Sequence, residues 1–261
     1  MNVMKTFSLK GKVALVTGGA GLYGRQIVAA LAEAGAVTYV ASRNLPALRR
    51  LAARHQARGQ NVRALQLDQG DEQSIFAVRD EIVRRSRGID ILVNNAVARP
   101  MRAGWTDLAQ RFDESMHVNA TGIFMVTRAL GEIMLQRGSG SIINISSMMG
   151  MVGVEDHNYR GTKMHGYYPD YFFHKGGLIN FTRFCASYFG HRGVRANCVS
   201  PGGLMTPKHP PRFVQQYSER TQLGRMANQT DLKGVIVFLA SDASAYVTGV
   251  NIPVDGGYTA K

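Results

Sequence analysis

The chain has 261 residues, 45% of them hydrophobic, with 29 glycines, enough for one sizeable domain with a deep core and the composition of an α/β protein. No run of eighteen apolar residues occurs and the N-terminus has no apolar signal core, so neither a membrane span nor a secretory leader is expected, and a cytoplasmic location is. The net charge of +13 includes six arginines between Arg43 and Arg63 with no acidic residue among them. Of these, Arg50, Arg54 and Arg58 are spaced as a helical stripe, but no nucleic-acid motif or interleaved aromatic set accompanies them, so nucleic acid is not expected as a partner. Two cysteines, Cys185 and Cys198, suggest no disulfide framework.

Strand and helix alternate along the chain. Val13–Thr17 is a short apolar strand, Gly18–Gly24 a glycine-rich turn, and Arg25–Ala34 a helix closed by Gly35. Strands follow at Val37–Ala41, Val62–Leu67, Ile89–Val93, Ser141–Ile145, Val194–Val199 and Val250–Val254. Helices are expected near Pro46–Arg58, Gln73–Arg87, Asp107–Gln136, Asp170–Gly190 and Leu232–Ala240. This order, without linker or repeat, predicts one Rossmann-like domain over 1–261: a doubly wound parallel sheet that binds ligands at the carboxyl ends of its strands.

Tyr171 and Lys175 stand four apart at the start of an apolar-periodic helix, so the ammonium lies one turn from the phenol and lowers its pKa toward a usable range. A second Tyr-x-x-x-Lys, Tyr159 and Lys163, sits among Gly153, Gly161, Gly166 and Pro169 and reads as loop. The turn Gly18, Gly21, Leu22, Tyr23 and Gly24 follows a strand and opens a helix, a place for a pyrophosphate. At the end of the second strand, Ser42 stands where an acidic residue would bind a ribose 2′-hydroxyl, and Arg43 is beside it. That pair favours NADP(H) over NAD(H), with NAD(H) the alternative.

With these residues the chain resembles the short-chain dehydrogenase/reductase family, in its compact single-domain branch, from Lys10 to Tyr258. Asp68, Asn94-Asn95-Ala96, Asn119, Ser146-Ser147, Pro201-Gly202-Gly203-Leu204-Met205-Thr206 and Asp255-Gly256-Gly257 complete the match in order and spacing. The resemblance implies Tyr171 as general acid/base, Lys175 as the group that tunes it and holds the nicotinamide ribose, Ser147 as the substrate-oxygen ligand, and Asn119 as support for a proton-carrying water. It places Asp68 at the adenine, Asn95 and Ala96 at the adenosine-side ribose and Thr206 at the nicotinamide carboxamide, with Pro201 and Gly202 also among the cofactor-binding residues. No metal is needed for such hydride transfer.

Three departures stand out. Leu22 replaces the middle glycine of the first turn and Val97 the glycine after Ala96. Ser147 and Tyr171 are 24 positions apart, about eleven more than the family usually shows, so an insertion is expected near 154–169 beside the active site. It carries Glu155, Asp156, His157, Tyr159, Arg160, Lys163, His165 and Tyr167, whose formal charges cancel; a lid, a pocket wall and a subunit contact are the alternatives. Loops bearing Arg99 and Arg102, and Lys208, His209 and Arg212, favour an anionic group on the substrate, and Met148, Met149, Met151, Met205 and Trp105 an apolar wall. The reading is an oxidoreductase acting on a secondary alcohol or ketone of a sugar, sugar acid or polyol. The alternatives are a 3-oxoacyl-thioester or apolar-ketone reductase and a catalytically silent cofactor-binding regulator. By analogy with the family a dimer of dimers is expected, pairing through the helices near 107–136 and 170–190, with Phe173, Phe181, Phe184, Tyr188 and Phe189 supplying apolar surface.

Overall fold

The structure, a computed structural model, describes residues 2–260. Among these, β1 (Val13–Thr17), β2 (Val37–Ser42), β3 (Val62–Gln66), β4 (Ile91–Asn94), β5 (Gly140–Ile145), β6 (Val194–Pro201) and β7 (Asn251–Val254) form one sheet. Its order is β3-β2-β1-β4-β5-β6-β7, with every pairing parallel. Both faces are covered, which is why the central strands read as continuous apolar runs. Ala14 and Val16 point into one layer with Ile27, Leu31, Ile236 and Leu239; Val13 and Leu15 point into the other with Ile75, Ile82, Leu130 and Phe189. From β1 the chain winds outward through β2 and β3, then returns to β4 on the other side of β1. That reversal opens a crevice at the carboxyl ends of β1 and β4.

The helices are α1 (Val3–Thr6), α2 (Leu22–Glu33), α3 (Leu45–Gln56), α4 (Glu72–Ser86), α5 (Ala109–Met116), α6 (Gly122–Arg137), α7 (Pro169–Gly190), α8 (Pro211–Arg220) and α9 (Lys233–Ala240). Besides the short α1, which was not expected, three differ from expectation. α2 starts at Leu22 rather than Arg25, because Gly21 serves as its N-cap and Gly24 lies inside the first turn. The long 107–136 region is α5 and α6 joined by a widened π-helical turn, His117–Thr121, against which Gln69 donates to the Val118 carbonyl at 2.9 Å. α8 was unforeseen: Pro210 and Pro211 read as loop, yet proline suits a first helical position, where its missing N–H costs nothing.

A polar chain crosses between the layers. Asn94 donates to Thr127 and to Asn144, and Asn144 donates to Thr182, each at 2.9 Å. It fixes β4 and β5 against α6 and α7, and so sets the position of the site at their ends. No described helix is long and apolar enough to cross a membrane.

Candidate active site

A cleft of about 1170 Å³ runs along the carboxyl ends of the strands, from the glycine turn to α8. At one end the Gly18–Gly24 turn folds back on itself. Gly18 has a φ of +67°, and a Cβ there would lie 2.8 Å from Ala96 Cα; at Gly24 a Cβ would run into the Gly18 carbonyl and sit 2.9 Å from Gly19 Cα. Thr17 Oγ1 accepts the N–H groups of Asn95 and Ala96 at 3.1 and 3.0 Å, and Asn95 Nδ2 donates to the carbonyls of Thr17 and Gly18 at 3.0 and 3.1 Å. The Asn95 side chain is therefore spent on holding the turn. Tyr23 donates to the Gly202 carbonyl at 2.7 Å, binding the Pro201–Gly202 loop to α2, and burial pushes its phenol far up.

In the middle, Gly150 lets the turn after β5 press on α7, where a Cβ would meet the Lys175 carbonyl carbon at 2.7 Å. Ser146 Oγ donates to the Lys175 carbonyl at 2.7 Å, while Ser147 Oγ accepts the Met149 N–H at 3.2 Å and stands within hydrogen-bonding reach of the Tyr171 phenol. Lys175, 4% exposed, donates from Nζ to the Ile145 carbonyl at 2.6 Å and lies 5.7 Å from the Tyr171 ring centre. The guanidinium carbon of Arg99 lies 4.0 Å from that ring centre. Burial opposes ionisation of Tyr171, but the charges of Lys175 and Arg99, with hydrogen-bonding help from Ser147 and Arg99, outweigh it and bring the phenol below its ordinary 10.0. Burial also lowers Lys175, against the pull of Tyr171. Tyr159 contrasts with Tyr171: burial pushes it up to about 12.

The far end is built by residues 154–168 and α8. The Asp156–Tyr159 turn docks through Asn158, which donates to Tyr258 Oη at 2.7 Å, and through the pairs Glu155–Arg220 at 3.5 Å and His157–Glu219 at 3.6 Å. Tyr159, Lys163, Met164, His165 and Tyr168 line the cleft from this segment. Phe213 and Tyr217 of α8, with Met148 and Met226, form an apolar floor.

These features have close parallels. Residues 21–259 match the family model described as enoyl-(acyl carrier protein) reductase. The chain is 33% identical over 260 residues to D-threitol dehydrogenase of Mycolicibacterium smegmatis, covering 98% of this chain and 95% of that protein. It is 34% identical over 258 residues to 3-oxoacyl-[acyl-carrier-protein] reductase FabG of Aquifex aeolicus, covering 95% and 98%. Its fold superposes on a gluconate 5-dehydrogenase from Burkholderia cenocepacia, solved in complex with NADP and tartrate, with a TM-score of 0.89 and 30% identity over 100% of both chains. The chain belongs to the short-chain dehydrogenase/reductase family.

As a short-chain dehydrogenase/reductase it is an oxidoreductase acting on CH–OH groups with a nicotinamide dinucleotide, and its residues fit that cofactor. α2 starts at the cleft with no side-chain cap and no acidic residue in its first turn, leaving its N-terminus to a pyrophosphate. Ser42 and Arg43 line the cleft beyond it, and Asp68 is the one acidic lining residue among those described. Of the other residues expected to hold the cofactor, Gly18, Gly21, Leu22, Tyr23, Gly24, Asn95, Ala96, Tyr171, Lys175 and Gly202 line the cleft. Pro201 and Thr206 do not; Pro201 is buried as the last residue of β6, and the Thr206 N–H points to His209 Nδ1 at 3.3 Å.

Several expected wall residues lie elsewhere. Trp105 is 81% exposed and, with Arg102, Met151, Met205, Lys208 and Arg212, is absent from the lining. Arg102 is turned by its own backbone, since the N–H groups of Arg102 and Ala103 both donate to Asp107 Oδ2, at 2.6 and 2.7 Å. Arg212 packs its guanidinium on Gly161. Lys163, set aside with Tyr159 as a loop copy, supplies a cation in their stead. Asn119 does not line the cleft either: its Oδ1 accepts the Ala98 N–H and its Nδ2 donates to the Ala98 carbonyl, both at 2.8 Å.

His174 went unnoticed in the sequence. It is 4% exposed, its ring stands edge-on to Tyr171, and neither ring nitrogen has a hydrogen-bond partner among the described residues. Burial, then the charges of Lys175 and Arg99, pull its pKa down to about 3. In the unfolded chain the imidazole gains a proton near pH 6.5, so between these values the unfolded state binds the proton and stability falls with falling pH. This one group is expected to cost about 3 kcal/mol between about pH 7 and about pH 4. Urea unfolding of His174→Phe at the two pH values is expected to show that much less loss than wild type; an identical loss would contradict it.

Proposed function

We propose that the enzyme is NADP-preferring and interconverts a secondary alcohol and a ketone on a polyhydroxylated acid, with Tyr171 as general acid/base. In this reading Ser147 binds the substrate oxygen, and Lys175 tunes the phenol and holds the nicotinamide ribose. The observation that carries it is the distribution of charge along the cleft lining: Ser42 and Arg43 with no acid at the end of β2, and Arg99 and Lys163 with no acid lining the cleft beside Tyr171. His165, Tyr159 and Tyr168 add hydrogen-bonding groups suited to hydroxyls. D-threitol and galactitol dehydrogenases among the relatives, and NADP with tartrate in the solved neighbour, support the same reading. The bound cofactor supplies a hydride acceptor or donor at nicotinamide C4, while Tyr171 moves the hydroxyl proton.

Fluorescence titration with NADPH and NADH tests the cofactor half. Wild type is expected to bind NADPH at least about tenfold more tightly, as one charged hydrogen bond to a phosphate would give, and Arg43→Ala to lose most of that difference. Equal affinities, unchanged by the substitution, would defeat the NADP assignment. The acyl-thioester alternative keeps one supporting observation, the Met148–Phe213–Met226 floor beside the FabG relative; turnover of a 3-oxoacyl thioester without turnover of any sugar acid or polyol would favour it.

We also propose a homo-oligomer formed through α6 and α7. Phe173, Phe184 and Tyr188 are 67%, 59% and 56% exposed along α7, and Phe124 on α6 is 45% exposed. Phe189, expected on that surface, is instead buried against Gly131. A monomer by sedimentation at micromolar concentration would contradict it.

A further inference from the structure

Tyr171 stands in the first turn of α7, and the first turn is where a helix frays. No side chain caps it: Pro169 has no N–H, and the N–H groups of Tyr171 and Phe172 share the Tyr168 carbonyl at 3.0 and 3.4 Å. Two polar bonds reach α7 from other elements, one on either side of the phenol. Ser146 Oγ donates to the Lys175 carbonyl at 2.7 Å, and Ser115 Oγ, on α5, donates to Asp170 Oδ2 at 2.6 Å. Ser115 also accepts from Asn119 Nδ2 at 3.0 Å, and Asn119 holds both backbone groups of Ala98 at 2.8 Å. Ser115, Asn119 and Asp170 are 0–2% exposed. Counting protons gives this buried chain of bonds a direction. Ser115 has one hydroxyl proton, and with it given to Asp170 its oxygen can only accept. Asn119 has two amide hydrogens, and both are spent, on Ser115 and on the Ala98 carbonyl.

We infer that Asp170 is a positioning residue for the reaction: through Ser115 it locks the first turn of α7, and the Tyr171 phenol with it, to the α5–α6 junction that carries Asn119. This rests on the proposed role of Tyr171 as general acid/base. Neither Asp170 nor Ser115 lines the cleft, so the pair acts through Tyr171 and not on a ligand. The junction is itself held on its other side, where Gln69 donates to the Val118 carbonyl at 2.9 Å. Without the Asp170–Ser115 bond the first turn is free to shift against Ser147 and Arg99, which come from the turns after β5 and β4. Lys175, one turn on, stays fastened by Ser146 and by its own bond to the Ile145 carbonyl. Misplacing a reacting group by about 1 Å costs on the order of a hundredfold in rate, while a cofactor held by other elements keeps its affinity.

Ser115→Ala breaks the bond and leaves the carboxylate in place, whereas Asp170→Asn keeps an acceptor for Ser115 and removes the charge. Ionisation of Tyr171 is read without substrate, as the tyrosinate absorbance of each protein minus that of its Tyr171→Phe counterpart. The groups that face the phenol are Lys175 and His174 on α7, Arg99, Ser147, and Tyr23 on α2. With the first turn loosened, the Lys175 and Arg99 charges no longer meet the phenol at a fixed distance. Ser115→Ala is therefore expected to move the Tyr171 inflection upward, and Asp170→Asn to leave it at or below that of wild type. In oxidation of galactitol with NADP⁺, Ser115→Ala and Asp170→Ala are each expected to lower kcat about ten- to a hundredfold, with KM and NADPH affinity within about threefold. Asp170→Asn is expected to recover most of that loss, and the double variant Ser115→Ala/Asp170→Ala to be no worse than either single one. An inflection unmoved in Ser115→Ala, or losses that multiply in the double variant, would overturn the inference and leave the general acid/base reading standing. Turnover near wild type in Tyr171→Phe, or no inflection below 10.0 that this substitution removes, would overturn the reading itself.

Discussion

Tyr171→Phe is expected to lower kcat by about 10³- to 10⁴-fold while leaving NADPH affinity within about threefold of wild type. The ring and its packing remain, and Lys175 keeps its bond to the Ile145 carbonyl, so only the titrating oxygen is lost. The pH dependence carries the same signature. Alcohol oxidation needs the phenolate, so kcat/KM in that direction rises with pH and levels off above the Tyr171 pKa, which the Lys175 and Arg99 charges hold below 10.0 despite burial. Arg99→Met removes one of these charges and is expected to move the inflection upward. Tyr159→Phe serves as the control. Its phenol, pushed up to about 12, cannot share the role near neutrality, and less than about a tenfold loss is expected. Comparable losses in the two tyrosine variants would contradict the assignment.

Gly24→Ala is expected to disable the cofactor end and destabilise the fold together. The added methyl meets the Gly18 carbonyl and Gly19 backbone, neither of which can swing aside as a side chain would. α2 must move away from β1, at a cost of about 2 kcal/mol in stability. The same shift takes its N-terminal N–H groups off the pyrophosphate position, and NADPH binding is expected to weaken by more than about tenfold. Gly177→Ala distinguishes this collision from a general effect of replacing glycine. That residue lies in α7 with nothing within 4 Å of the added Cβ, so the substitution is expected to stabilise by about 0.5–1 kcal/mol. Thermal unfolding and NADPH titration of both variants check the pair; a Gly24→Ala protein with wild-type affinity and melting temperature would contradict the close approach.

The sheet and the tyrosine–lysine pair were legible because they rest on local periodicity. Apolar runs between glycine turns mark β1 and β4, and the helical spacing after Lys175 separates Tyr171 from the copy at Tyr159. The 24 positions from Ser147 to Tyr171 likewise revealed that extra chain must stand beside the site. What could not be read was direction. Arg99 and Arg102 are near neighbours in sequence, yet only Arg99 enters the cleft, because the backbone at Arg102 is bound to Asp107 while that at Ala98 is bound to Asn119. The side-chain amides of Asn95 and Asn119 also hold the glycine turn and Ala98, contacts that sequence spacing does not reveal. α8 had an available signal in Phe213, Val214 and Tyr217 at helical spacing, obscured by the two prolines before it.

Direct transfer of hydrogen from a carbinol carbon is the center of the account. An aldonic acid deuterated at every carbinol carbon, incubated with the wild-type enzyme and NADP⁺, is predicted to yield NADPH carrying one deuterium at nicotinamide C4, as read by mass spectrometry and NMR. NADPH formed without deuterium, or no reduced nicotinamide from the acid under conditions where the protein binds NADPH, would contradict it.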